Sequence, residues 1–181
     1  DLPDQDEILV DSTGMASREL FEHRAARQEG HARDFLTVGC MGHASQIALG
    51  IAGQKPMRPV WCLDGDGAVL MHMGALPLIG TSGARNFRHV ILNNGAHDSV
   101  GGQPTIGFAV DFPAIGIGSG YRWARRVETA ADLTKAVAAM HAVDGPALLE
   151  VRINPGSRPD LGRPTTTTQD NKREFMAYVR R

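Results

Sequence analysis

Apolar positions fall into short continuous runs separated by stretches of helical periodicity, the pattern of buried parallel strands joined by crossover helices. Residues 7–10 read as a first strand. Asp11, Ser12, Thr13 and Gly14, all turn or cap types, then open a helix running to about Arg27 with Leu20 and Phe21 inward. A polar loop over 28–34 carries His31 and Arg33, a second strand covers 35–38, and Gly39-Cys40-Met41-Gly42 turns into a helix over 43–53. Small residues at Ala44, Ala48, Gly50 and Ala52 predict that this helix packs close to a sheet. Strands over 60–63 and 90–92 flank a helical stretch from 69 to 83, long enough for a crossover. Residues 95–107 are turn-rich and aperiodic, too long to be idle in a compact domain. A short helix over 111–116, a strand over 121–124, a capped amphipathic helix over 129–143 and a last strand over 146–153 follow. Beyond them come a Pro/Thr-rich arm (154–168) and a helix over 171–180. The alternation predicts an α/β fold: a doubly wound, mostly parallel sheet with helices on both faces. Residues 1–153 would form the domain, and 154–181 an arm and helix packing on it or on a partner.

The two central strands carry the chemistry. One ends in Asp64-Gly65-Asp66-Gly67 and the other in Asn93-Asn94-Gly95, with twenty-five residues (68–92) between the Gly-Asp-Gly and the Asn pair. Both strands of a βαβ unit end on the same sheet edge, where open α/β folds bind ligands, so Asp66 and Asn94 should stand side by side. Gly65 and Gly67 let backbone N–H groups approach an anion. Asp66 offers a hard carboxylate oxygen and Asn94 a neutral amide oxygen, the donors Mg²⁺ takes when phosphates complete its octahedron. A diphosphate held through a metal is the chemistry this pattern suggests.

Composition excludes more than it assigns. A formal net charge of −1 gives no bulk attraction to nucleic acid or membrane. No apolar run reaches transmembrane length, and the acidic start Asp1-Leu2-Pro3-Asp4 is unlike a signal or transit peptide. Without an initiator Met the chain reads as a fragment, a processed product or a chain with an unseen start. Cys40 and Cys62, both in apolar contexts, are expected to be reduced core thiols of a cytoplasmic protein. The seven histidines lack zinc spacing, and no GxGxxG follows the first strand.

The paired motif resembles the cofactor-binding signature of the thiamine diphosphate-dependent decarboxylases. The similarity extends through Ser12-Thr13-Gly14, 17–21, 35–39, 41–45 and the run 93–105, which is similar to the diphosphate-binding half of the phosphonopyruvate decarboxylase family. Sulfopyruvate decarboxylases share this framework, and 97–105 looks nearer the phosphonate enzymes. The resemblance implies thiamine diphosphate and Mg²⁺ as cofactors, and decarboxylation of 3-phosphonopyruvate to phosphonoacetaldehyde. It implies Asp66, Asn94 and the carbonyl of Ala96 as metal ligands, with Gly65, Gly67, Ala68, Thr13, Gly14 and Ser99 around the diphosphate. Gly39 would accept a hydrogen bond from the cofactor, and Met41 would support its folded shape and act in catalysis. Met15 stands where many relatives are expected to carry a lysine. The glutamate that activates this cofactor lies in a separate pyrimidine-binding domain, and this chain has no room for one. A pyrimidine-binding α subunit or domain is therefore implied, in a hetero-oligomer such as α2β2 or larger, and this chain alone should be inactive. A sulfopyruvate decarboxylase β subunit is the alternative substrate reading. A non-catalytic module that binds the cofactor or stabilises a partner is the alternative of another class.

His97 and Asp98 follow the metal-binding turn and are candidates to touch substrate or move protons, His97 the stronger. Gln103 and Thr105 could reach a substrate phosphonate from the same loop. His43 is expected to cap or face an interface, His72 to pack in the crossover helix, and Arg125-Arg126 to be solvated charges.

Overall fold

The computed structural model describes residues 6–181; the acidic start, 1–4, lies outside the described residues. Chain order is β1 (Ile8–Asp11), α1 (Met15–Ala26), β2 (Asp34–Leu36), α2 (Ala44–Gln54), β3 (Val60–Gly65), α3 (Asp66–Met71), α4 (Ala75–Thr81) and β4 (Phe87–Asn93). Then follow β5 (Ala96–His97), β6 (Gln103–Pro104), α5 (Phe112–Gly118), β7 (Trp123–Val127), α6 (Ala130–His141), β8 (Ala147–Arg152) and α7 (Thr168–Val179). Six strands form one sheet in the order β2-β1-β3-β4-β8-β7, every neighbouring pair parallel. The continuous apolar runs are buried because both faces are covered. On one face Ala44, Ala48, Leu76, Ile79, Phe112 and Phe175 pack over Val10, Cys62 and Ile91. On the other, Leu20, Phe21, Ala136 and Met140 pack over Leu9, Trp61 and Leu149. The helix α7 closes the β2 edge: Asn171 accepts from the Leu36 N–H at 3.2 Å and donates to the Asp34 carbonyl at 2.8 Å. No helix among the described residues is long and apolar enough to cross a membrane.

Several expectations need correction. The stretch 69–83 is two helices: α3 starts at Asp66, and the chain leaves helical geometry at His72 (φ −134°, ψ 45°) before α4 begins. The second strand stops at Leu36: the Thr37 N–H gives the last ladder bond, to the Asp11 carbonyl, which also accepts from the Thr37 hydroxyl, and Val38 beyond it is exposed. Pairing against β8 shifts the strand expected at 121–124 to Trp123–Val127. Residues 95–107 contain a small antiparallel ribbon, β5 with β6. Cys40 is exposed on a left-handed backbone (φ 50°), so Cys62 alone is a core thiol. His72 is exposed and lies against His43 at 4.1 Å between ring centroids. Arg126 is no solvated charge; it pairs with the buried Glu150 at 2.7 Å.

The thiol of Cys62 lies with Asp64 and His89 in a fully buried cluster whose donor atoms all fall within 4.8 Å of one another. That is one donor short of a closed tetrahedral metal site. His89 Nε2 lies 3.6 Å from Asp64, beyond hydrogen-bond range, and neither it nor either Asp64 oxygen has a hydrogen-bond partner, whereas His89 Nδ1 meets the Tyr121 hydroxyl at 3.0 Å.

Nearby, Asp11 is fully buried and neither carboxylate oxygen has a partner. Burial, reinforced by the negative charges of Asp64 and Asp34, holds its carboxyl well above the usual range. The unfolded chain loses this proton near an ordinary carboxylate pKa, so above that pH the folded state binds more protons and stability falls as pH rises. Asp11→Asn is therefore expected to gain about 2–4 °C in Tm at pH 8, the gain vanishing toward pH 4. Melting curves running parallel to wild type at every pH would contradict this.

Candidate functional site

Topology selects the site. The chain runs from β1 to β2 on one side and to β3 on the other, so the carboxyl ends of β1 and β3 diverge at a switch point. There lies a cavity of about 980 Å³, walled by Thr13 and Gly14 after β1, Gly65 through Ala68 after β3, and Asn94, Ala96, His97 and Ser99 after β4. Met41 enters the wall from the turn before α2.

Asp66 is the first residue of α3 and is 1% exposed. Gly67 and Ala68 follow in the first turn, where backbone N–H groups have no intrahelical acceptor. A Cβ on Gly67 would stand 2.4 Å from His97 Cε1, so a glycine there is what admits the His97 ring. On the far wall a Cβ on Gly14 (φ 133°) would stand 3.2 Å from Ser99 Cβ, which brings the turn after β1 against the loop after β4. Gly42 (φ 86°) seats the 39–43 turn: a Cβ there would meet His72 Cδ2 at 2.4 Å and the Ala68 carbonyl at 2.7 Å.

Asp66, Asn94 and Ala96 all line the cavity. Asn94 accepts from the Ala96 N–H at 3.0 Å and donates to Asp98 at 2.6 Å, which fixes its amide at the mouth of the loop. Thr105 N donates to the Gly95 carbonyl at 2.8 Å, so the next pair, Ala96 with Pro104, is a non-hydrogen-bonded position of the ribbon. The Ala96 carbonyl is thus outside that ladder. A carboxylate, an amide oxygen and a backbone carbonyl suit Mg²⁺, and the glycine-lined wall beside them suits a diphosphate.

Three expected residues lie elsewhere. Gly39 and Gln103 are exposed and are not among the residues that wall the cavity. Thr105, expected to reach a substrate, gives its hydroxyl to Asp66 Oδ2 instead. Asp98 has a structural use: its Oδ2 accepts from Asn94 and from the Gly156 N–H at 2.7 Å.

Sequence reading missed the arm's part. Ile153 through Arg158 line the cavity, as do Glu19 and His23 of α1 and Leu133 of α6. Arg158 pairs with Glu19 at 3.2 Å and with Glu22, and Glu22 also accepts from the Gly162 N–H at 2.7 Å. The arm has no apolar period to read. Its acidic anchors on α1 were the available signal.

Residues 12–151 match the family described as thiamine pyrophosphate enzyme, C-terminal TPP binding domain. A phosphonopyruvate decarboxylase of Streptomyces viridochromogenes is 42% identical over 175 residues, covering 97% of this chain and 43% of that protein. A sulfopyruvate decarboxylase subunit beta of Methanothermobacter thermautotrophicus is 34% identical over 153 residues, covering 84% of this chain and 77% of that subunit. Among solved structures, the Rhodococcus jostii RHA1 thiamine diphosphate-dependent 4-hydroxybenzoylformate decarboxylase superposes with a TM-score of 0.63 at 24% identity, over 83% of this chain and 30% of that one. That last likeness is one of fold. This chain spans less than half the length of the phosphonopyruvate decarboxylases it matches.

Proposed function

The chain belongs to the thiamine pyrophosphate enzymes, through their C-terminal cofactor-binding domain, and from that premise we propose that it is the diphosphate-binding half of a 2-oxo acid decarboxylase acting on 3-phosphonopyruvate. What supports the reading is that Asp66, Asn94 and Ala96 line one cavity together with Gly67 and Ala68, which lie in the first turn of α3. Thiamine diphosphate, when bound, supplies the electron sink for loss of CO₂. The chain's own residues bind and orient. Asp66, Asn94 and Ala96 hold Mg²⁺; Gly65, Gly67 and Ala68 let the backbone approach the diphosphate; Thr13, Gly14 and Ser99 close its other side. Met41 rises from the turn before α2 to support the cofactor's rings. His97, seated over Gly67, is the group placed to meet substrate or carry a proton. Gly39 and Gln103, exposed here, would contribute beside a partner that covers them. The unpaired thiols of Cys40 and Cys62 fit a reducing, cytoplasmic setting.

A second reading, sulfopyruvate decarboxylation, is favoured by the 34% identity to a beta subunit of which this chain covers 77%. The two substrates differ by a phosphonate or a sulfonate on one skeleton. Aldehyde release by the assembled protein, supplied with thiamine diphosphate and Mg²⁺, separates them. We expect phosphonopyruvate to be turned over at least about tenfold more efficiently, a discrimination of ~1.4 kcal/mol. Preference for sulfopyruvate would move the substrate. Tight cofactor binding without turnover of either would favour a non-catalytic module.

A further inference from the structure

Glu150 of β8 is fully buried, and both its carboxylate oxygens are engaged. Oε1 accepts from Asn93 Nδ2 and from Arg152 Nε, each at 2.7 Å, and Oε2 accepts from Arg126 Nε at 2.7 Å. A carboxylate so deep in a sheet is tolerated only when fully paired, and an apolar residue would serve the strand as well. What distinguishes this network is where its members reach next. Asn93 Nδ2 also donates to the Gly107 carbonyl at 2.9 Å, Arg152 to the Phe108 carbonyl at 3.2 Å, and Arg126 to the Val110 carbonyl at 3.2 Å. All three partners of Glu150 therefore grip one segment, 107–110.

That segment abuts the metal end of the cavity. The Gly107 N–H donates to Thr105 Oγ1 at 3.0 Å, and the same hydroxyl donates to Asp66 Oδ2. Gly107 sits so close that a Cβ there would stand 2.2 Å from Asp66 Oδ2 and 2.7 Å from Asn93 Oδ1. With Oδ2 engaged by Thr105, Oδ1 is the oxygen left for a cation. The first asparagine of the Asn93-Asn94 pair thus has a use separate from the second: it ties the loop to Glu150.

We infer that Glu150 is a positioning residue for the cofactor site: through Asn93, Arg126 and Arg152 it fixes residues 105–110, and so the Thr105 hydroxyl that orients Asp66. The inference rests on reading Asp66 as a Mg²⁺ ligand. Outer partners of metal ligands are commonly worth about 10–100-fold in metal affinity.

The test is calorimetric titration of Mg²⁺ at saturating thiamine diphosphate, on the protein in its native assembly, beside melting curves of the cofactor-free forms. Thr105→Val is expected to weaken Mg²⁺ about tenfold, with Thr105→Ser returning to within about twofold of wild type. Glu150→Gln turns one acceptor into a donor facing a guanidinium; it should weaken Mg²⁺ about fivefold, and add little in the Thr105→Val background. If Glu150→Gln does not fold, Arg126→Met, which removes one partner at a half-buried position, takes its place in the cycle. Wild-type Mg²⁺ affinity in Thr105→Val, or a Glu150→Gln penalty that adds in full, overturns the inference. Asp66→Ala separates the two possible failures. If it abolishes Mg²⁺ binding while Thr105→Val and Glu150→Gln do not, the positioning role falls and the site stands; if it too leaves binding intact, the site itself falls.

Discussion

Asp66→Ala is expected to lower Mg²⁺-dependent affinity for thiamine diphosphate by more than a hundredfold, to the point where binding is lost at millimolar metal. Of the three proposed protein ligands, Asp66 alone carries charge. Mg²⁺ releases its water reluctantly and is commonly held by one or two carboxylates together with substrate phosphates. Removing that carboxylate takes away the anionic anchor and leaves a neutral amide and a carbonyl. Loss of an outer partner costs about 10–100-fold in metal affinity, and a charged ligand should exceed that. Asp66 is buried at the start of α3, so Asp66→Asn, which keeps the shape and one oxygen, is the companion variant and should fall between the two. Asn94→Ala should also weaken binding, and would release Asp98 from its 2.6 Å bond. Calorimetry with Mg²⁺ at fixed cofactor reads all three. An Asp66→Ala affinity within about threefold of wild type would remove Asp66 from the site.

The frame behind that prediction could be read from the chain because its signals are local. A continuous apolar run that ends in glycine and a donor residue marks a parallel strand reaching the functional edge. Both such endings, at Gly65-Asp66-Gly67 and at Asn93-Asn94, line or border one cavity. What could not be read depends on contacts across the sheet. Apolar residues stand on both sides of His72, so linear periodicity runs past a break that coincides with the packing of Gly42 on His72 and the Ala68 carbonyl. Arg126 resembled a surface charge because only the register of β7 on β8 places it opposite Glu150. Thr105 sits in a loop whose composition suggested substrate contact, yet its hydroxyl is committed to Asp66. The arm escaped for the reverse reason: no periodicity announces it, and its hold on α1 is ionic.

The second large effect concerns what this chain alone is expected to lack. Purified by itself with thiamine diphosphate and Mg²⁺, it should show no aldehyde release above background from phosphonopyruvate, and adding a pyrimidine-binding partner should raise the rate by orders of magnitude. The argument follows the glutamates. On the proposed reading a carboxyl group acts at the cofactor's pyrimidine ring, and Glu7, Glu29 and Glu150 of this chain are committed elsewhere. Glu7 is buried beside His141 at 3.2 Å. Glu29 sits among Arg24, Arg27 and Arg33, which hold its carboxyl down to about 2. Glu150 is locked between Arg126, Arg152 and Asn93. Among the described residues, Glu19 is the one glutamate lining the cavity, and it is paired with Arg158. Val38, on the turn before α2, and Val100, Ile106 and Phe108, on the loops after β4, are exposed apolar residues. Proton transfer by a positioned side chain is worth about 10²–10⁴-fold, and holding the reacting groups together adds to it, so the expected contrast is large. Replacing the partner's glutamate with glutamine should silence the mixture while leaving Mg²⁺ binding by this chain in place. Full turnover by the chain alone would show that the activating carboxylate is already within it, and Glu19→Gln would then be the variant to make.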